Sequence, residues 1–404
     1  MTDPADAVDR LVRTEGTRVL ATLVRVTGSI ELAQDAVQDA IVRALRTWPV
    51  GGVPANPRGW LLVAARNRAV DIVRREAHRA GKEAAMPISD PTPEPPEVVR
   101  DDLLRLVFTC CHPTLAVEAQ VALALRTLGG LSTAEVARGL LVPEATMAKR
   151  LTRAKRKIVD ARIPYRVPAA EQLPARLTGV AATVYLIYNE GYAAGSGAEL
   201  VRAGLTGEAV RLARLLAELM PDEPTVLGLL ALLLLTESRR ATRTDAHGRP
   251  VLLADQDRAR WDAGAIREGV ALVGVALRRT PDHPDRYVVQ AAIAACHALA
   301  PSYAETDWAA VVSWYDVLTT IDPSPVVTLN RAVAVAERDG PAAALAIVDT
   351  ICGLADYPWW HATRAELLTQ LDRRPEAADA YRRALALPMN EPLRAQLTDR
   401  LAAR

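Results

Sequence analysis

The chain has 404 residues, 50% of them apolar and 24% charged, enough for two or three domains with real cores and too apolar for a largely disordered chain. Its longest apolar run, Val226 to Leu235, is too short to span a bilayer, and its four cysteines make no disulfide framework. The net charge of +1 hides an asymmetry, because residues 1–166 carry +6 and residues 167–404 carry −5. The acidic N-terminus, Met1 to Asp6, has neither the basic nor the apolar segment of a secretory signal, so a cytoplasmic protein without a membrane segment is expected.

Apolar residues recur three and four apart in segment after segment while strand alternation is scarce, which predicts an all-α fold. The first clear helix runs from Glu31 to Trp48, with Ala33, Val37, Ile41, Ala44 and Trp48 as its core stripe and Asp35, Gln38, Asp39, Arg43 and Arg46 facing outward. A loop follows from Pro49 to Pro57, and then an arginine-bearing helix from Arg58 to Glu76. Five prolines among interspersed acids make residues 80–98 an extended linker. A second break at Ile163 to Pro168 divides the rest, giving domains at 1–79, 99–164 and 169–404.

In the middle domain, Ser132 and Glu135 stand at capping-box spacing ahead of Val136, Ala137, Leu140 and Leu141. Pro143 then suits the first turn of a second helix, from about Glu144 to Val159. Met147, Leu151, Ala154 and Ile158 fall on one face of it, which leaves Lys149, Arg150, Arg153, Arg156 and Lys157 on the other. Three of the chain's four lysines (Lys149, Lys155, Lys157) lie here, the sharpest basic focus in the sequence. A helix that packs with one face and presents cations on the other is what major-groove binding requires, although a solvated surface helix has the same pattern.

Beyond residue 169 the chain reads as helices joined by Pro, Gly or Asp. Ala365, Leu368, Ala377, Tyr381 and Ala384 have the small/large spacing of a tetratricopeptide helix pair, and Ala332, Val335, Ala343 and Ile347 echo it. Arg239 to Trp261 interrupts the repeats as a long loop or small hairpin. Asp282-His283-Pro284-Asp285 reads as a turn.

The order Ala33-Gln34-Asp35-Ala36-Val37-Gln38-Asp39, Trp60-Leu61-Leu62 and Ala65-Arg66-Asn67-Arg68-Ala69-Val70-Asp71-Ile72-Val73-Arg74-Arg75 resembles regions 2.2 to 2.4 of bacterial sigma-70-family factors of the extracytoplasmic-function group. The basic helix-turn-helix resembles their region 4, and no region 3 lies between the two. Tyr188 to Gly197, Gln256 to Trp261 and Pro325 to Ala332 resemble the helical-repeat extension of one subgroup. The resemblance implies a subunit that joins core RNA polymerase and directs it to −35 and −10 promoter elements. By family position Asp35, Gln38, Asp39 and Arg43 face the polymerase clamp helices, and region 4 faces the flap. Trp60, Arg66, Asn67, Arg68, Asp71, Arg74 and Arg75 lie along the −10 element, with the 49–58 loop near an extruded base. Thr146, Lys149, Arg150, Arg153, Lys155, Arg156 and Lys157 meet the −35 element. The repeat domain is expected to control the two DNA-binding domains, with an unidentified protein or ligand as its partner.

Two departures from that pattern stand out. Leu141 occupies the turn position where the family has Gly, and region 2 offers only Trp48 and Trp60 as aromatics. No cofactor or metal is expected: Cys110-Cys111-His112 ends an apolar helical run and reads as core, and Gly191 to Gly197 lacks the Lys and strand of a phosphate loop. No HExxH or GxSxG occurs, so an enzyme is not expected. The rival reading is a tetratricopeptide-like interaction scaffold with nonspecific nucleic-acid binding; it has no use for an Asp35/Gln38/Asp39 face combined with Arg66-Asn67-Arg68.

Overall fold

The computed structural model describes residues 4–79, 102–161, 163, 165–195, 197 and 199–403; the linker expected at 80–98 lies outside them. The described residues form helices α1 (Pro4–Thr27), α2 (Ile30–Gly51), α3 (Pro57–Arg79), α4 (Asp102–Cys110), α5 (Val117–Leu128), α6 (Thr133–Gly139), α7 (Glu144–Asp160) and α8 (Pro174–Tyr192). These are followed by α9 (Ala203–Leu219), α10 (Pro224–Glu237), α11 (Ala263–Arg279), α12 (Arg286–Leu299) and α13 (Trp308–Ile321). The chain ends with α14 (Pro325–Asp339), α15 (Pro341–Val348), α16 (Pro358–Gln370), α17 (Arg374–Leu385) and α18 (Glu391–Ala402). The fold is all-α, as the periodicity predicts, and none of these helices is long and apolar enough to cross a membrane.

Contacts divide the chain into two units, Met1–Ile187 and Tyr188–Arg404. In the first, α1, α2 and α3 pack on one another, and Ser29 caps α2 by accepting from the Leu32 amide. The buried face of α2 is Ala33, Ala36, Val37, Ala40, Ala44 and Trp48, with Ile41 half-buried. Helix α2 runs past the expected end at Trp48 and carries Pro49 in its last turn. Burial of Trp48 and the Gly52 amide bonded to the Trp48 carbonyl hold that turn, so the loop shrinks to residues 52–56.

The first fourteen residues of α8 belong to this unit, about twenty residues past the break in composition. Arg176, 6% exposed, donates to the Phe108 carbonyl of α4 at 2.8 Å. Thr183 lies 3.6 Å from the Cys111 sulfur, and a Cβ on Gly179 would overlap the side-chain oxygen of Gln120. Gln120 cannot yield, because it is buried and its amide donates to the His112 and Leu115 carbonyls. Cys110 and Cys111 are fully buried and burial pushes both thiols up, Cys111 to about 12, which makes them core residues with little thiolate character.

In the second unit helices pack on their neighbours in sequence, among them α9 on α10, α10 on α11, α12 on α13, α14 on α15 and α16 on α17. Ala365, Leu368, Ala377, Tyr381 and Ala384 are all fully buried between α16 and α17, as the tetratricopeptide spacing predicts. In the α14/α15 pair Ala332 and Val335 are buried, but Ala343 is exposed and Ala344 takes its place. With α15 starting at Pro341, its inward stripe is Ala344, Leu345 and Val348, one residue out of the expected register. Residues 239–261 form short 3-10 turns around a minimal antiparallel bridge, Thr244 to Pro250, closed by the Trp261 indole donating to Thr242. Asp285 caps α12, so its turn also starts a helix. The cap of α18, Asn390, is 1% exposed and donates to the Ala194 carbonyl, which ties the last helix to the loop after α8.

Candidate nucleic-acid and polymerase interface

Helices α6 and α7 form the expected helix-turn-helix. The Ser132 hydroxyl accepts from the Glu135 amide at 3.2 Å, and the Glu135 carboxylate accepts from the Ser132 amide at 2.7 Å, so the capping box is complete. The α6 C-terminus closes with the Leu141 amide on the Arg138 carbonyl and the Val142 amide on Ala137, a Schellman pattern that needs left-handed backbone at its middle position. Leu141 has φ 53° and is 56% exposed, so the chain accepts strain where a glycine would have none. Leu141→Gly is expected to stabilise the protein by up to about 1 kcal/mol, since relieving ~1–2 kcal/mol of strain outweighs the entropy of glycine. A higher urea midpoint checks this; a lower one would show that the exposed leucine makes contacts that outweigh its strain.

On α7, Met147, Leu151 and Ala154 are buried. Thr146, Lys149, Arg150, Arg153 and Lys157 surround a concavity of about 420 Å³ completed by Ala116, Glu118 and Ala119. Arg150 is half-buried and the other four are exposed, so the cations are positioned along one face with their heads in solvent. Arg156 is exposed beside them. Lys155 points elsewhere: its ammonium is part-buried and donates to the Gln34 side chain at 2.7 Å, on the helix that also carries Asp35. Near this contact Arg25 pairs with Asp102 at 3.0 Å, and the Tyr165 hydroxyl lies 2.6 Å from the Asp102 carbonyl and 2.9 Å from that of Ala21. Burial and the neighbouring Asp102 push the Tyr165 phenol well up, so it remains a donor at any physiological pH.

Asp35, Gln38, Asp39 and Arg43 are all exposed on α2, on the side away from its core stripe. On α3 the exposed line is Val63, Arg66, Asn67, Asp71 and Arg74, with Trp60 half-buried at its head. The Trp60 ring meets Trp48 edge to face with centroids 5.4 Å apart, so one aromatic braces the other. Arg68 departs from this line: it turns to α2 and pairs with Asp39. The side chain of Arg75 lies outside the described residues. Sequence reasoning left Tyr165, Arg176, Gly179 and Thr183 without roles; all four sit at or beyond the break in composition, and each contacts elements distant in sequence.

A three-helix domain with a polar face on α2 and a cationic line on α3, coupled to a capped helix-turn-helix with a basic second helix, defines a helical DNA-binding protein with a separate acidic face. The chain matches the family described as Sigma-70 region 2 over residues 11–79 and that described as Sigma-70, region 4 over residues 105–158. Residues 176–277 match a family of unknown function, DUF6596. It is 31% identical to the ECF RNA polymerase sigma factor SigL of Mycobacterium tuberculosis over 33% of this chain and 77% of that one. It is 29% identical to the ECF RNA polymerase sigma factor SigE of Mycolicibacterium smegmatis over 38% and 60%. An uncharacterized protein of Rhizobium meliloti is 44% identical over 96% of this chain and 94% of its own length. The chain belongs to the extracytoplasmic-function group of the sigma-70 family of RNA polymerase sigma factors, and the helical extension beyond residue 169 distinguishes it from a factor built of regions 2 and 4 alone.

Proposed function

We propose that the α2 face of Asp35, Gln38, Asp39 and Arg43 docks on the polymerase clamp helices and that region 4 engages the flap. The α3 line from Trp60 through Arg66, Asn67, Asp71, Arg74 and Arg75 lies along the −10 element, and the cationic face of α7 reads the −35 element. The chain acts as a non-enzymatic initiation factor in the cytoplasm, on the nucleoid. The observation that carries the −35 assignment is the ring of Thr146, Lys149, Arg150, Arg153 and Lys157 around one concavity on the exposed side of a well-capped helix-turn-helix. Phosphate contacts set position and guanidinium contacts to base edges set sequence. Lys155 and Arg68 each have a partner on α2, so their DNA contacts require that partner to be given up.

Arg150→Ala is expected to weaken binding to a cognate promoter by ~1–3 kcal/mol and to relax preference at one base position, whereas Lys157→Ala weakens all sequences alike and lowers the salt dependence by about one ion. Quantitative DNA-binding titrations on cognate and random duplexes distinguish the two. Equal losses on both duplexes for both variants would reduce α7 to a phosphate clamp.

The acidic helical-repeat unit controls initiation from within the chain. Its size, and its −5 charge against the +6 of residues 1–166, favour action on basic surfaces, either those of the DNA-binding domains or those of the polymerase.

A further inference from the structure

Two stretches that the promoter-binding reading leaves unused, Tyr188 to Gly197 and Gln256 to Trp261, meet in the second unit around an unusual concentration of cations. Arg243 lies over the Tyr192 ring, its guanidinium carbon 3.4 Å from the centroid, and donates to the Tyr192 carbonyl. Arg239 stands over the same ring at 5.5 Å, and Arg258 over Trp261 at 4.6 Å. One nitrogen of Arg258 donates to the His297 and Ala300 carbonyls; the other, Nη2, is buried with no partner among the described residues. Nδ1 of His297 is likewise buried and unpartnered, and its ring stacks edge to face on Trp308. Burial, and after it the charges of Arg239 and Arg258, push the imidazole down to about 4, so it is neutral at physiological pH.

The arginines repel one another: Arg239 disfavours the charged form of both Arg243 and Arg258. Glu237 offsets part of this for Arg243, but no carboxylate among the described residues acts in the same way on Arg258. Glu237 is held by Arg240 at 2.6 Å, by the Tyr188 hydroxyl and by the Thr206 hydroxyl, and Glu337 accepts from Tyr303. Arg239 has no carboxylate partner among the described residues and stays part-exposed, so its guanidinium is free to turn toward a ligand. Buried donors without partners and crowded like charges are costly, and a bound anion removes both costs together. The ring contacts to Tyr192 and Trp261 compensate these cations only in part, since a ring quadrupole attracts a cation far more weakly than an oxyanion does.

We propose that Arg239, Arg258 and His297 form a binding site for a small multivalent oxyanion, a phosphate ester or a polycarboxylate, in the helical-repeat unit. Arg239 and Arg258 grip the oxygens from two sides and His297 donates from Nδ1. The site stands on the second unit's residues alone and holds whether or not that unit controls initiation.

The test is thermal unfolding of the full chain in pyrophosphate and in citrate, each against sodium chloride of matched ionic strength. At least one probe is expected to raise the midpoint by about 2 °C or more at millimolar concentration. A response to pyrophosphate alone identifies a phosphate ester, and one to citrate alone a polycarboxylate. Arg239→Gln should shift the half-saturating concentration at least tenfold while leaving the midpoint in chloride unchanged or higher, because it relieves repulsion. Arg239 is the residue to change, since Arg258 also ties two carbonyls. No response to either probe beyond chloride, an undiminished response in the variant, or a variant less stable in chloride would each overturn the proposal.

Discussion

A chain ending after Tyr165 is expected to unfold its helix-turn-helix at a markedly lower temperature than one ending after Tyr192. The reason lies in α8, whose first fourteen residues belong to the DNA-binding unit. Removing it strips Arg176 from the Phe108 carbonyl, Thr183 from Cys111, and the buried Leu177 and Val180 from the same unit. Two buried aliphatic side chains at ~1.5–3 kcal/mol each and one hydrogen bond from a charged donor add to on the order of 5 kcal/mol. Against a typical total of ~5–15 kcal/mol, that is a large share of stability and corresponds to roughly 10–20 °C for a unit of this size. Gly179→Val in the full chain should act in the same direction, since its new side chain would collide with a Gln120 that two carbonyls hold in place. Differential scanning calorimetry of the three proteins checks this. Equal transitions for the two truncated chains would mean that α8 contributes nothing to region 4.

The same pair of chains separates the ways in which the repeat unit can act, provided the longer one is used for run-off transcription. Higher activity after Tyr192 means that the unit masks the factor, and lost activity with an intact transition means that it is required. Unchanged activity and promoter choice would remove control by the extension from the account. A chain cut at Tyr165 would be misleading here, because loss of activity would follow from damage to region 4.

The helix-turn-helix was legible because its signals are local: a cap four residues long, a proline at a helix start, and an apolar stripe within seventeen residues. Leu141 was legible only as a departure from the glycine of the family's turn, and the structure resolves that departure into left-handed backbone with φ 53°. The exposed polar face of α2 followed from the same periodicity. What periodicity could not give was the partner of each polar side chain. Lys155 and Arg68 look like their basic neighbours in sequence, yet a shift of about 100° per residue around the helix turns them toward Gln34 and Asp39 on α2. The boundary at residue 187 was hidden because composition changes where the charge changes, near residue 166, while the contacts that hold α8 involve residues some seventy positions earlier. Ala343 shows the limit at repeat level, since neighbouring alanines differ only in register and the start of α15 at Pro341 decides between them. The arginine cluster is assembled from residues 192, 239, 243, 258 and 297, and no short motif contains it.

Reversing the acidic face of α2 should abolish assembly with core RNA polymerase. Asp35 and Asp39 are exposed one helical turn apart, beside Gln38 and Arg43 and away from the core stripe, which suits a basic partner surface. Asp39 also pairs with Arg68, so placing a lysine at 39 alone would set two cations against each other and confuse binding with folding. The informative variant is Asp35→Lys combined with the exchange Asp39→Arg and Arg68→Asp, which keeps the internal pair while inverting the face. Each attraction, ~1–4 kcal/mol between the limits of bulk water and a protein surface, becomes a repulsion of similar size, so affinity should fall by at least about a hundredfold. Size-exclusion co-elution with core polymerase, free of promoter DNA, reads this without involving the proposed −10 role of Arg68. Circular dichroism establishes that the three helices remain. Undiminished co-elution of a folded variant would mean that the polymerase is bound elsewhere on the chain, and the assignment of Asp35, Gln38, Asp39 and Arg43 would fall with it.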